Sequence, residues 1–279
     1  MKKNLDLRLL RGSAISRKMA MGTWKTTGDP TIYGDIEIDM TKVLEGLENY
    51  QENNKVKITP AHLIGKAIAH CMKVRPEING LIRGRRIYLR KNVTLFYQVN
   101  IEGKPGRKVE DAILGGVTIE KAEDLSTKEI AEILCEKGSK LKKGEDKVMM
   151  KNLSLFKYLP WWLSRLYLNL GSWLIYGLNR DMTMLGLPRD PFGSVMITNA
   201  GGLGIDRAWA PLVPYSRVPF IVTIGTLKDR PVAVEGKVEV RKTLPLGITL
   251  DHRMIDGTHA AFMAKELKKC FDNPNEYLF

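Results

Sequence analysis

Two residues near the end of the 279-residue chain carry the most readable chemistry: His252 and Asp256, four positions apart, with Gly257 next. The apolar stretch 244–250 precedes them. After them Ala260, Met263, Ala264, Leu267 and Phe271 recur at helical spacing. A histidine at such a strand-to-helix junction can act as a general base. Its imidazole titrates near neutrality, and removing a proton from a thiol or hydroxyl in this way is typically worth roughly 10²–10⁴ in rate. The step also needs a fixed tautomer and a donor that stabilises the oxyanion formed on the electrophile. Residue types alone leave open the alternative of an ordinary turn histidine.

Other chemistries are poorly supplied. His62 and His70 lie eight residues apart on one predicted helix, so they share a face but are too far apart to hold one ion. They read as surface or packed histidines, and no metal site is expected. Cys71, Cys135 and Cys270 form no C-x-x-C pair, which argues against a disulfide framework or structural zinc and for a reducing, cytoplasmic compartment. No G-x-S-x-G elbow is present, and no cysteine has an activating neighbour, so a hydrolase is unsupported. Gly201, Gly202 and Gly204 follow a predicted strand, but they lack the spacing of a dinucleotide-binding turn.

Composition bounds the partners. Forty-four basic and 31 acidic residues give 44 − 31 = +13, and 44% hydrophobic with 27% charged residues is globular. A positive surface attracts phosphates on a nucleotide cofactor or an anionic membrane, or simply keeps the protein soluble. Basic residues alternate with acids, so no cationic arm favours nucleic acid. Charge in the first eight residues disfavours a signal peptide.

The elements that must position His252 can be read in order. Residues 1–28, with Arg11, Arg17, Lys18 and Trp24, suggest an arm on the body. Alternation over 31–40 predicts a strand, with Asp39 or Thr41 capping a helix striped by Val43, Leu44 and Leu47. Thr59 and Pro60 open the helix of Leu63, Ile64, Ala67, Cys71 and Val74. Strands are expected over 86–90, 93–101 and within 110–119. Ser126 and Glu129 then start a helix over 126–140 as a capping box. Further strands fall at 194–199, 220–225 and 232–241, the last a hairpin turning at Glu235 and Gly236, and at 244–250. Segment 153–187 is unusual: it holds Trp161, Trp162 and Trp173, and its uncharged run 166–178 is shorter than the roughly 20 residues a spanning helix needs. It could be an interfacial helix, a lid over an apolar tunnel or a subunit contact. One α+β domain over 1–279, a mixed sheet with flanking helices, is the economical architecture.

The tail Leu250, Asp251, His252, Arg253, Met254, Ile255, Asp256, Gly257 resembles the D-H-R-x-x-D-G signature of the dihydrolipoamide acyltransferases, the catalytic cores of 2-oxo acid dehydrogenase complexes and relatives of chloramphenicol acetyltransferase. Val195 to Gly204 is similar to the family's T-I-S-N-x-G-x-x-G element. Glu37, Ile38, Asp39, Met40 and Thr41 resemble its E-V-D-V-T strand end, and Arg75, Pro76 and Asn79 fall in its P-x-x-N turn. The resemblance covers about residues 11–279. It implies a chloramphenicol acetyltransferase-like fold, a homotrimer or larger assembly of trimers, and coenzyme A or acyl-CoA as substrate, with no metal. It also implies His252 as the base that activates the acceptor thiol, and Thr198, where the family has serine, as the oxyanion donor. The same resemblance makes Asp256 a site-supporting acid, Asn199 and Gly201 substrate-binding, and Asp251, Arg253 and Gly257 structural supports. In the family, histidine and hydroxyl meet across a subunit boundary. No lipoyl domain is matched, so a stand-alone acyltransferase working through a ternary complex is expected. Residues 110–116 replace the family's G-L-V-V-P-V stretch, and the Trp-rich segment at about 150–187 looks inserted. The alternative is a non-catalytic trimeric scaffold, or a membrane- or partner-binding protein, using 153–187 as a peripheral contact.

Overall fold

The structure, a computed structural model, describes residues 4–9, 29–101, 113–145, 160–185 and 188–279. The expected arm is seen in part: Leu7–Leu9 (β1) pairs antiparallel with β4 (Arg86–Arg90), which also pairs with β3 (Gly80–Arg83). Arg11, Arg17, Lys18 and Trp24 lie outside the described residues.

A seven-stranded mixed sheet positions everything else. It contains β2 (Thr31–Asp39), β5 (Leu95–Ile101), β6 (Ile113–Ile119), β7 (Val195–Asn199), β8 (Phe220–Ile224), β9 (Lys228–Val234) and β10 (Lys237–Asp251). The order is β2-β10-β8-β7-β5-β6, with β9 pairing β10 beyond the end of β2. Only the central β8-β7 and β7-β5 pairs are parallel. The second arm of the hairpin read from sequence and the separate strand at 244–250 are one 15-residue strand, β10, while the hairpin's first arm is the end of β9. Its first half, 237–242, projects to pair β9 alone and is mostly exposed, and the second half is buried between β2 and β8. Charges alternating with Val238 and Val240 hid that continuity. The hairpin does turn at Glu235 and Gly236, both at positive φ (49° and 78°), as a two-residue turn matching strand twist requires.

Five helices flank the sheet among the described residues, besides the one in the Trp-rich segment and the short 3₁₀ turns: α1 (Thr41–Asn54), α2 (Pro60–Val74), α3 (Thr127–Lys142), α5 (Gly257–Asp272) and the short α6 (Pro274–Tyr277). Ser126 and Glu129 form the expected capping box on α3, and Asp39 Oδ1 accepts the Thr41 N–H (2.9 Å) at the start of α1. Leu63, Ile64, Ala67 and Cys71 of α2 are buried as the stripe predicts, packing in one core with Leu95, Tyr97, Ile197, Val222, Leu246 and Ile248. Val74 departs from that stripe: at the end of the helix, it is 47% exposed. The opposite sheet face buries Phe96, Met196 and Ile221 beneath Phe192, Ala210, Leu212 and Val213 of the long connections.

The Trp-rich segment contains α4 (Trp161–Ser172), followed by a single π turn (Trp173–Gly177). Among the described residues no helix is long and apolar enough to cross a membrane.

Candidate active site

His252 follows the last residue of β10. Its N–H donates to the Pro30 carbonyl (2.8 Å), and Asp251 N–H donates to Pro219 (2.8 Å), so both neighbouring strands pin the turn. The half-buried ring brings Nδ1 to 3.3 Å from the Ile255 carbonyl. A carbonyl can only accept, so this contact calls for the hydrogen on Nδ1 and leaves Nε2 as the proton-accepting nitrogen.

The residues around it brace the turn. Asp251, 8% exposed, accepts a two-pronged grip from Arg253: Nε to Oδ1 at 3.0 Å and Nη2 to Oδ2 at 2.6 Å, with the Arg253 N–H also on Oδ1 at 3.0 Å. That hydrogen bonding pushes the Arg253 pKa up further. Asp256 occupies the N-cap of α5, its Oδ1 accepting the His259 N–H (3.1 Å) and lying 2.5 Å from His259 Nδ1. The resemblance made Asp256 a site carboxylate, and in the structure it is engaged with the start of its own helix. His259 escaped the sequence reading, although an acid at an N-cap with a polar side chain three residues on is a capping pattern. His62 repeats it. Packed, as one of the two expectations had it, it also caps: it sits at the third position of α2 with Nδ1 accepting the Thr59 N–H (3.2 Å), and burial holds its pKa down to about 4. Gly257 has no such explanation from packing, since a Cβ there would meet nothing within 4 Å.

Thr198, Asn199 and Gly201 cluster at the end of β7. Thr198 is half-buried, and Asn199 is exposed, its Oδ1 accepting the Gly202 N–H (3.1 Å). The glycines serve close packing. A Cβ on Gly201 would fall 2.2 Å from the Gly225 carbonyl oxygen, and side chains on Gly225 and Gly247 would strike the carbonyls of Asp206 and Ala208. Segment 200–208 can therefore lie directly on β8 and β10. Arg207 fastens it to β2 through Glu37 (2.9 Å) and Asp35 (2.5 Å), and Trp209 Nε1 donates to the Gly34 carbonyl (2.8 Å).

The structure does not bring Thr198 and His252 together within one chain. Thr198 pairs with Thr223, and Thr223 pairs with Gly247, five residues before His252 on a strand running the other way. At about 3.3 Å per residue and 4.8 Å per strand, the two stand roughly 15–20 Å apart, at opposite ends of the sheet.

A mixed sheet flanked by helices, with histidine and hydroxyl at its two ends, defines an α+β protein of the chloramphenicol acetyltransferase type. A solved chloramphenicol acetyltransferase superposes with a TM-score of 0.52 at 10% identity, covering 94% of this chain and 98% of that one. The family model for the 2-oxoacid dehydrogenases acyltransferase (catalytic domain) matches residues 11–145 and 192–279, and the chain belongs to that family. Among curated relatives, the dihydrolipoyllysine-residue succinyltransferase component of the 2-oxoglutarate dehydrogenase complex of Staphylococcus saprophyticus is 25% identical over 87% of this chain, which spans 47% of that protein. The structure of the Azotobacter vinelandii dihydrolipoamide acetyltransferase, solved in work on the catalytic role of a serine, a histidine and an asparagine, matches with a TM-score of 0.63 at 20% identity, covering 95% of this chain and 88% of that one.

Proposed function

We propose that the protein is a coenzyme A-dependent acyltransferase in which His252 is the general base. The observation that carries this reading is the ring itself, held by Nδ1 against the Ile255 carbonyl on a turn braced by Asp251 and Arg253. In the reaction, Nε2 removes the proton from the thiol of coenzyme A or of an acceptor, and the thiolate attacks the carbonyl carbon of the acyl thioester. The Thr198 hydroxyl donates to the oxyanion of the tetrahedral intermediate. Collapse breaks the original carbon–sulfur bond, and the departing thiolate recovers the proton from the imidazolium. Both substrates are bound at once, with no acyl group carried on the protein. A hydroxyl acceptor would follow the same course.

Because Thr198 lies at the far sheet end of its own chain, the donor comes from a neighbouring copy, and a homotrimer closes such head-to-tail contacts into a ring with one histidine and one hydroxyl at each boundary. Leu203, Ile205 and Trp209, all exposed on the segment that follows Thr198 in the chain, suit that contact. Asn199 lines the acyl-CoA site in this reading. Asp256 is a positioning residue, fixing α5 and the turn before it. The similar Azotobacter vinelandii enzyme lends support, since its asparagine also follows its histidine by four positions. A cytoplasmic setting suits the three free thiols.

The test is thiol release from a panel of acyl-CoAs with wild type and His252→Ala. A loss of about 10²–10⁴ is expected in the variant. Equal rates in the two proteins would remove the mechanism.

A further inference from the structure

We propose that α4 docks the protein on an anionic lipid surface, as a peripheral contact independent of the acyl-transfer chemistry. Its exposed side carries Leu166, Leu170 and Trp173, spaced four and three residues apart on one stripe and 60, 51 and 50% exposed. Leu178 and the almost fully exposed Met184 extend the apolar surface past the π turn.

The stripe is presented by a firmly anchored segment. Ile175 and Tyr176 are buried against Leu81, and the Tyr176 hydroxyl donates to Asp190 (2.8 Å), which also receives Arg90 Nε (2.8 Å). Arg83 Nε donates to the Gly177 carbonyl (2.6 Å), and Asn179 exchanges two hydrogen bonds with the backbone of Leu5 (2.7 and 2.9 Å). Arg217 bonds Ser172 (3.3 Å) and the Ile82 carbonyl (3.1 Å) two residues before Pro219, whose carbonyl holds Asp251. Docking therefore also fixes how the His252 end of the sheet faces the surface.

Charge selects the occupant. Residues 147–184 contain Lys147, Lys151, Lys157, Arg165 and Arg180 against one acid, Asp181, which is paired with Arg189 (3.3 Å), in a chain of net charge +13. Arg165 lies on the exposed flank of the stripe, where its stem can follow the apolar face while the guanidinium reaches phosphate. Leucine and tryptophan beside basic residues in excess of acids is the composition of a helix lying in a lipid interface, and each cation near such a surface adds attraction. A second copy packed through this same face would bring two basic faces together, whereas a different face of a second copy is told apart by sedimentation. The shared family core does not include this stretch either, because the match breaks between 145 and 192.

The experiment is flotation of the 279-residue chain with phosphatidylcholine vesicles and with vesicles containing phosphatidylglycerol, at low and high salt. Flotation with the anionic vesicles, weakened by salt, is expected. The triple variant Leu166→Gln, Leu170→Gln, Trp173→Gln should lose about tenfold or more in partitioning, since it removes the apolar area to be buried. Arg165→Glu, which leaves the apolar face intact, should lose several-fold. Absence of flotation with anionic vesicles overturns the proposal, as does equal flotation of wild type and both variants. It also fails if the triple variant sediments as a smaller assembly than wild type, which would assign the stripe to a second copy.

Discussion

The two ends of the central sheet are held by different forces. At the His252 end polar groups converge: Asp251 gripped by Arg253, backbone bonds to Pro30 and Pro219, and Asp256 capping α5. At the Thr198 end the backbone of 200–208 lies against Gly225 and Gly247, with ion pairs from Arg207 on its rim. The first arrangement fixes one side chain's direction. The second builds a thin, close-packed wall with apolar Leu203, Ile205 and Trp209 facing outward. A base needs a defined tautomer and direction, whereas a surface that meets another subunit needs shape and apolar area. Under the proposed mechanism, the difference is what two halves of a shared site would require.

The largest effects break one half at a time. His252→Ala should cost about 10²–10⁴ in rate, and Thr198→Ala about 10²–10³, or 3–4 kcal/mol of transition-state stabilisation. Mixing the two dead variants under subunit-exchange conditions sharpens the comparison. If each site takes its histidine from one chain and its hydroxyl from the next, about a quarter of the sites in randomly mixed trimers are intact. Recovery of that order is expected in the thiol-release assay. No recovery, with exchange verified by mixed tags, would mean that the two ends do not combine.

The pH profile is the next lever, and it needs a control. An acid limb of the rate would be assigned to the proposed base, but the protonation of His62 acts on the fold at acid pH as well. Its folded pKa of about 4 lies below the ordinary histidine value near 6.5. Between these values the unfolded chain binds the proton and the folded one does not, so stability is full above about 6.5 and falls as pH drops toward 4. The loss approaches about 3 kcal/mol for a shift of this size. His62→Gln keeps an acceptor for the Thr59 N–H and should flatten urea midpoints between pH 6.5 and 4, leaving the acid limb of the rate in place. If the limb vanishes with His62, it reports unfolding and not the base.

Much of this was legible in the sequence wherever the signal is local. Thr59 with Pro60, Ser126 with Glu129, and Glu235 with Gly236 each mark an element boundary through backbone chemistry within four residues, and the structure has all three. Strand order is not local, so nothing in the spacing of Thr198 and His252 tells that they occupy opposite sheet ends. Only the register through Thr223 and Gly247 does. The length of β10 was hidden because 237–242 is exposed and reads as a surface hairpin. The partners of His62 and His259 are obscured in the sequence because histidine is an unusual third-position capping residue.

The smallest expected effect separates the ends through two glycines. At Gly201 an added Cβ would lie 2.2 Å from a backbone oxygen, which no side-chain rotation relieves, so Gly201→Ala must lift segment 200–208 off β8. Such overpacking typically costs about 1–3 kcal/mol, and the rate should fall with Thr198 displaced while the His252 pH dependence stays. At Gly257 nothing lies within 4 Å, and the residue begins α5. Alanine there should leave stability unchanged or raise it by up to about 1 kcal/mol, because glycine is the poorer helix former. Thermal melts and thiol-release rates of both variants make the comparison. Should Gly257→Ala keep its stability and lose its activity, the open space above Gly257 is where a substrate approaches the histidine, and the glycine is there for the ligand, not the fold.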